Sequence, residues 1–133
     1  MDLITRTDVL DLAHHEGAGT CVSVFVPTRR RGHDTAGDAL KLKNLLDDAE
    51  KALAGDGMRR PDIEELLRPA RELQHDAMAW SHMSDGLVLF LSPGWATVYR
   101  LPIQVPALAA VGDRFVITPF LRLLGGQEQY LLL

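Results

Sequence analysis

The sequence holds one cysteine, two tryptophans, two tyrosines and four phenylalanines in 133 residues. A lone thiol cannot close an intrachain bridge, so a disulfide scaffold is excluded, and the usage fits a reducing cytoplasm. No apolar run approaches the roughly 20 residues that span a bilayer, and Met1-Asp2-Leu3 does not open a secretory signal. Basic charge is also scarce: Lys and Arg number 14 against 18 Asp and Glu, a formal charge of −4. That balance argues against non-specific coating of nucleic acid, and no DNA or membrane partner is expected. No phosphate-cradling or dinucleotide glycine motif is present, and no Gly-x-Ser-x-Gly elbow. His14 and His15 are neighbours that a helix points about 100° apart, and His33, His75 and His82 lack partners at ligand spacing. No metal and no cofactor is expected.

What remains is ordinary for a globular chain, with 47% hydrophobic and 24% charged residues. The length predicts one domain over 1–133, long enough to bury about two-thirds of its unfolded surface.

The stretch from Cys21 to Ala54 organises the chain. Cys21 to Val26 is apolar on nearly every position, with Cys21, Ser23 and Phe25 on one face and Val22, Val24 and Val26 on the other. Such a strand belongs inside a sheet covered on both sides, and Pro27 ends it. A basic loop, Thr28-Arg29-Arg30-Arg31-Gly-His33-Asp34, follows at the strand's carboxyl end, where sheets packed with helices commonly hold ligands. Residues 28–43 carry five cations against Asp34 and Asp38, a surplus of three, which leaves −7 for the rest.

Thr5 or Thr7 caps a first helix through about Glu16. A second helix begins near Asp38, with Leu40, Leu45, Leu46, Ala49 and Leu53 as its apolar stripe. Gly55-Asp56-Gly57 ends it, and Pro61 starts a third, carried by Ile63, Leu66, Leu67, Ala70, Leu73, Ala77 and Trp80. Pro69 should kink or split that helix. The two make an antiparallel helical hairpin. Gly86 to Ser92 reads as a second buried strand, and Pro93-Gly94 turns it into Trp95–Leu101, a hairpin partner with one wet face. Pro102 and Pro106 imply extended, edge-like chain. Asp113 to Thr118 reads as a further short strand, Pro119 to Leu124 as a short helix and Gln129 to Leu133 as a last strand. That strand stops without a polar finish. The expectation is that the chain is the first domain of a longer protein, the strand from about 128 opening the next, or that this end pairs with another subunit.

The ordered pieces CVSVFVPTRR, ALKLKNLLDDAEKAL, DGLVLFLS and VGDRFVITPFLRLL resemble the N-terminal domain of the bacterial archaeo-eukaryotic release factor family. These proteins are similar to the class-1 release factors and Pelota, and the likeness covers about residues 18–133. The resemblance implies an α/β (α+β) domain. Its sheet is mixed and mostly antiparallel, of about four to five strands, flanked by helices, with a projecting helical hairpin between the first two strands. It also implies a place at the ribosomal A site. The stop-codon signature Asn-Ile-Lys-Ser, near the hairpin tip in release factors, is replaced by Gly57-Met58-Arg59-Arg60. Of the second signature, Tyr-x-Cys-x-x-x-Phe, only Phe115 remains, Ala109 and Val111 standing at the first two positions. Gly125-Gly126-Gln127 copies the hydrolytic tripeptide of the family, which lies there in the following domain. Here it reads as a turn, so no catalytic residue is assigned.

Two functional expectations result. The first is a non-catalytic, ribosome- or RNA-associated domain serving termination, rescue or hibernation. Its phosphate contacts to ribosomal RNA or tRNA would be Arg29, Arg30, Arg31, Lys41, Lys43, Arg59 and Arg60. The second is a protein-interaction domain that has lost RNA binding and forms a homodimer through a sheet edge.

Overall fold

The computed structural model describes residues 19–28, 35–76, 86–101 and 104–117. Its elements are β1 (Cys21–Pro27), α1 (Thr35–Gly55), α2 (Arg60–Gln74), β2 (Gly86–Ser92), β3 (Trp95–Leu101) and β4 (Leu108–Gly112). The strands form one antiparallel sheet in the order β3-β2-β1-β4. The expected α+β architecture, with a helical hairpin inserted between the first two strands, is therefore present. The first helix through Glu16, the arginine loop, Ala77, Trp80, Pro102, the segment from Thr118 onward and its Gly-Gly-Gln turn lie outside the described residues.

β1 is central, and its alternation sets the two faces. Val22, Val24 and Val26 join Leu87, Leu89 and Leu91 beneath the helices. Cys21 and Phe25 join Val88, Phe90 and Leu101 on the opposite face, which Val105 and Phe115 cover. Phe90 centres this second layer. Its ring makes edge contacts with Phe25 at 6.1 Å, Tyr99 at 6.3 Å and Phe115 at 5.2 Å, while Trp95 tilts onto Phe115 at 5.7 Å. Cys21 is fully buried, a small side chain at the start of β1.

The hairpin lies along the sheet instead of projecting from it. α1 packs over β1 and β4, and α2 over β2. The buried stripe of α1 is Leu42, Leu46, Ala49 and Leu53, at the 3–4 spacing of a single helix face. Leu40, expected in that stripe, is 54% exposed, because two residues back from Leu42 is about 200° around the helix. The helix also starts at Thr35, one turn before Asp38. A glycine closes it. Gly57 adopts φ +92°, Gly57 N–H donates to Ala54 O at 3.0 Å and Met58 N–H to Leu53 O at 3.1 Å, the two bonds of a left-handed helix stop.

Two further expectations are corrected. Pro69 does not split α2, which runs unbroken to Gln74. The proline sits on the exposed side, where water can satisfy the carbonyl its missing N–H leaves free. The strand expected at Asp113–Thr118 is instead β4 at Leu108–Gly112, paired with β1 from Cys21↔Gly112 to Phe25↔Leu108. Residues 113–117 cross the second face, where Val116 N–H donates to the buried Ser23 Oγ at 2.9 Å.

Candidate functional site

The carboxyl end of β1 meets the amino end of α1 around three residues. Thr28 and Asp38 are each only 3% exposed, Asp38 in the first turn of the helix, where a carboxylate complements the positive end of the dipole. Lys41 Nζ bridges Asp38 and the strand end from solvent, 3.3 Å from Asp38 Oδ1 and 3.5 Å from Pro27 O. This lysine thus ties the helix to the strand end. Its ammonium keeps a wet side, the side chain being 42% exposed.

Lys43 stands on the outer surface of α1, 2.9 Å from Asp47 Oδ2. Asp47 is the hub of a larger set. Arg71, on α2, donates from Nη2 to Asp47 Oδ1 at 2.9 Å and to Glu50 Oε2 at 3.1 Å, and from Nη1 to Gln74 Oε1 at 3.3 Å. The Lys43 ammonium, and then the Arg71 guanidinium, hold the Asp47 carboxyl below its ordinary range.

At the other end of the hairpin, Arg59 precedes α2 in extended conformation (φ −75°, ψ 148°) and Arg60 begins it. Arg60 Nε lies 3.1 Å from Glu64 Oε1, both side chains well exposed. Arg59 is exposed and makes no ion pair among the described residues. From Lys41 to the end of α1 at Gly55 is about 21 Å of helix at 1.5 Å per residue. The seven sequence-predicted cations therefore do not converge. Lys41 and Lys43 share the start of α1 with the loop that holds Arg29, Arg30 and Arg31, which is outside the described residues. Arg59 and Arg60 form a second surface at the far end.

The charge around them is adverse to a simple basic patch. Residues 35–76 carry seven Lys and Arg against ten Asp and Glu. Three of the four predicted cations on the described elements already face a carboxylate.

Sequence reasoning missed Arg71, because a cross-hairpin contact has no fixed spacing. It also missed a surface between α2 and β3. Two adjoining hollows of about 270 and 280 Å³ lie there, sharing Glu65, Leu66 and Gly94 and reaching Ala96 on one side and Met58 and Asp62 on the other. Ser92 Oγ beside them is buried with no hydrogen-bond partner among the described residues. No cluster of metal-ligating side chains occurs among the described residues, and no described helix is long and apolar enough to cross a membrane. No protein-family model matches the sequence, and no curated protein matches it.

Proposed function

We propose that this is a cytoplasmic, non-catalytic domain of a release-factor-like protein that associates with the ribosome or its RNA in termination, rescue or hibernation. The observation that carries the reading is the architecture. A helical hairpin between the first two strands of an α+β sheet is what the family resemblance implies, and the described elements have that order.

Phosphate contacts are assigned to Arg29, Arg30 and Arg31 with Lys41 and Lys43 at one end of the hairpin, and to Arg59 and Arg60 at the other. Existing ion pairs do not remove these cations from use. Lys43–Asp47 and Arg60–Glu64 are exposed i,i+4 pairs, which contribute about 0.3–0.5 kcal/mol, so exchanging the carboxylate for a phosphate costs little. The test is ribosome co-sedimentation over a salt series. Log affinity should fall linearly with log salt, and an Arg29/Arg30/Arg31→Ala triple variant should bind more weakly with a shallower slope. Unchanged co-sedimentation by that variant removes the arginine assignment.

A second reading, a protein-interaction domain, is favoured by the acidic surplus of the helical layer and by β3, an end strand of the sheet among the described residues.

A further inference from the structure

A trough runs between α2 and the turn that joins β2 to β3. It consists of the two adjoining hollows of about 270 and 280 Å³, which share Glu65, Leu66 and Gly94. Asp62 lines only one of them and Pro69 only the other, so the trough follows about 10 Å of α2. That is the reach of about three residues of extended chain. Each hollow falls short of the roughly 300 Å³ at which small-molecule pockets begin, and suits a single side chain.

The two hollows differ in chemistry. At one, Pro69 stands inside α2 without an N–H, so the carbonyl of Glu65, one turn earlier, lacks its helical donor. Residues four apart share a helix face, and Glu65 and Pro69 both line this hollow, which sets that carbonyl at its wall. The Glu65 carboxylate belongs to the same wall. Ser92 also lines this hollow, and its Oγ is buried with no hydrogen-bond partner among the described residues. The second hollow is lined by apolar Met58, Leu66 and Pro93, with Asp62 beside them. Asp62 is exposed and makes no ion pair among the described residues.

We infer that this trough binds a basic segment of a partner protein in extended conformation. An Arg or Lys side chain enters the hollow at Pro69, and an apolar side chain two residues away enters the hollow at Met58. The inference rests on the interaction reading and names its partner's chemistry. A guanidinium or ammonium carries several N–H donors and no acceptor, which matches a carbonyl and a carboxylate on one wall. Side chains two apart on an extended segment point the same way at about 7 Å, within the length of the trough. Arg68 competes for the carboxylate, its Nη2 lying 2.6 Å from Glu65 Oε2. Both side chains of that pair are more than half exposed, so it contributes only about 0.2–1 kcal/mol and leaves Oε1 for a second donor. RNA is the poorer occupant, because Asp62 and Glu65 would face its phosphates.

The test is a titration of the isotopically labelled chain with the blocked peptide Gly-Ser-Leu-Ser-Arg-Ser-Gly, followed by amide NMR shifts into the millimolar range. Saturable shifts are expected along residues 62–69 and at Gly94 and Ala96. Replacing the peptide's arginine by glutamate should abolish them. Glu65→Arg, on an exposed helix position, should weaken binding about threefold to fivefold with unchanged circular dichroism. Pro69→Ala separates a binding role from a structural one. It returns an N–H to the Glu65 carbonyl, so the melting temperature should rise while peptide affinity falls about threefold. A peptide that binds both variants as tightly as wild type, or shifts other residues instead, overturns the trough and leaves the interaction reading standing. No saturable shift at any residue overturns the site and the basic partner together. A single-stranded oligouridylate that moves these amides where the peptide does not makes the face an RNA surface, and the inference falls.

Discussion

Arg71 Nη2 on α2 lies 2.9 Å from Asp47 Oδ1 on α1, and the same nitrogen lies 3.1 Å from Glu50 Oε2. One guanidinium therefore joins two carboxylates one turn apart on the facing helix. It clasps the hairpin at the margin of the apolar stripe, Asp47 and Glu50 following Leu46 and Ala49 in the sequence.

Arg71→Ala should lower the unfolding free energy by about 1 kcal/mol, through two lost ion pairs and lost packing of the arginine stem. Lys43→Ala should cost less, since its exposed pair stays within one helix. Urea denaturation of both variants measures the difference; an equal loss would mean that the cross-hairpin contact adds nothing.

Asp47 makes the clasp sensitive to acid. Its carboxyl titrates lower in the folded chain than in the unfolded one, so the unfolded chain takes up protons first as pH falls. The stability it contributes is complete above the ordinary carboxyl range and is lost as pH drops through its lowered folded value. Wild type should therefore exceed Asp47→Asn in stability at neutral pH, with the gap closing below about pH 4. Urea titrations at several pH values read this directly.

Leu42→Ala should cost about 2–5 kcal/mol and Leu40→Ala less than about 0.5 kcal/mol. Leu42 is fully enclosed by the sheet and Leu40 is over half exposed. Comparable losses from the two would put the helix face in the wrong rotation.

Ser23→Ala removes the acceptor of Val116 N–H and should destabilise by about 1–2 kcal/mol. Because residues 113–117 lie over the aromatic layer, the near-ultraviolet signal of Trp95 and Phe115 should change with it. A variant with wild-type stability and spectrum would show that apolar contact alone holds the segment.

Much of the fold was legible in local pattern. The face assignments of β1 were readable from alternation, and the Gly55-Asp56-Gly57 stop from turn chemistry. β4 was not. Its Leu108-Ala-Ala-Val-Gly has weak strand propensity, whereas Phe115-Val-Ile downstream has strong propensity, and pairing to the central β1 overrode both. The phase of α1 was misread for a related reason, since leucines at 40, 42, 45 and 46 admit more than one stripe until a sheet lies beneath them.

The cations were legible as residues and not as a site. The strand, helical hairpin and two-residue turn follow from the sequence by itself, because each rests on local alternation, glycine or proline. Tertiary structure alone decided that the hairpin lies along the sheet, that Lys41 reaches Pro27 O, and that Arg71 meets Asp47. These relationships join residues far apart in the chain, and their energies arise only when packing brings the surfaces together.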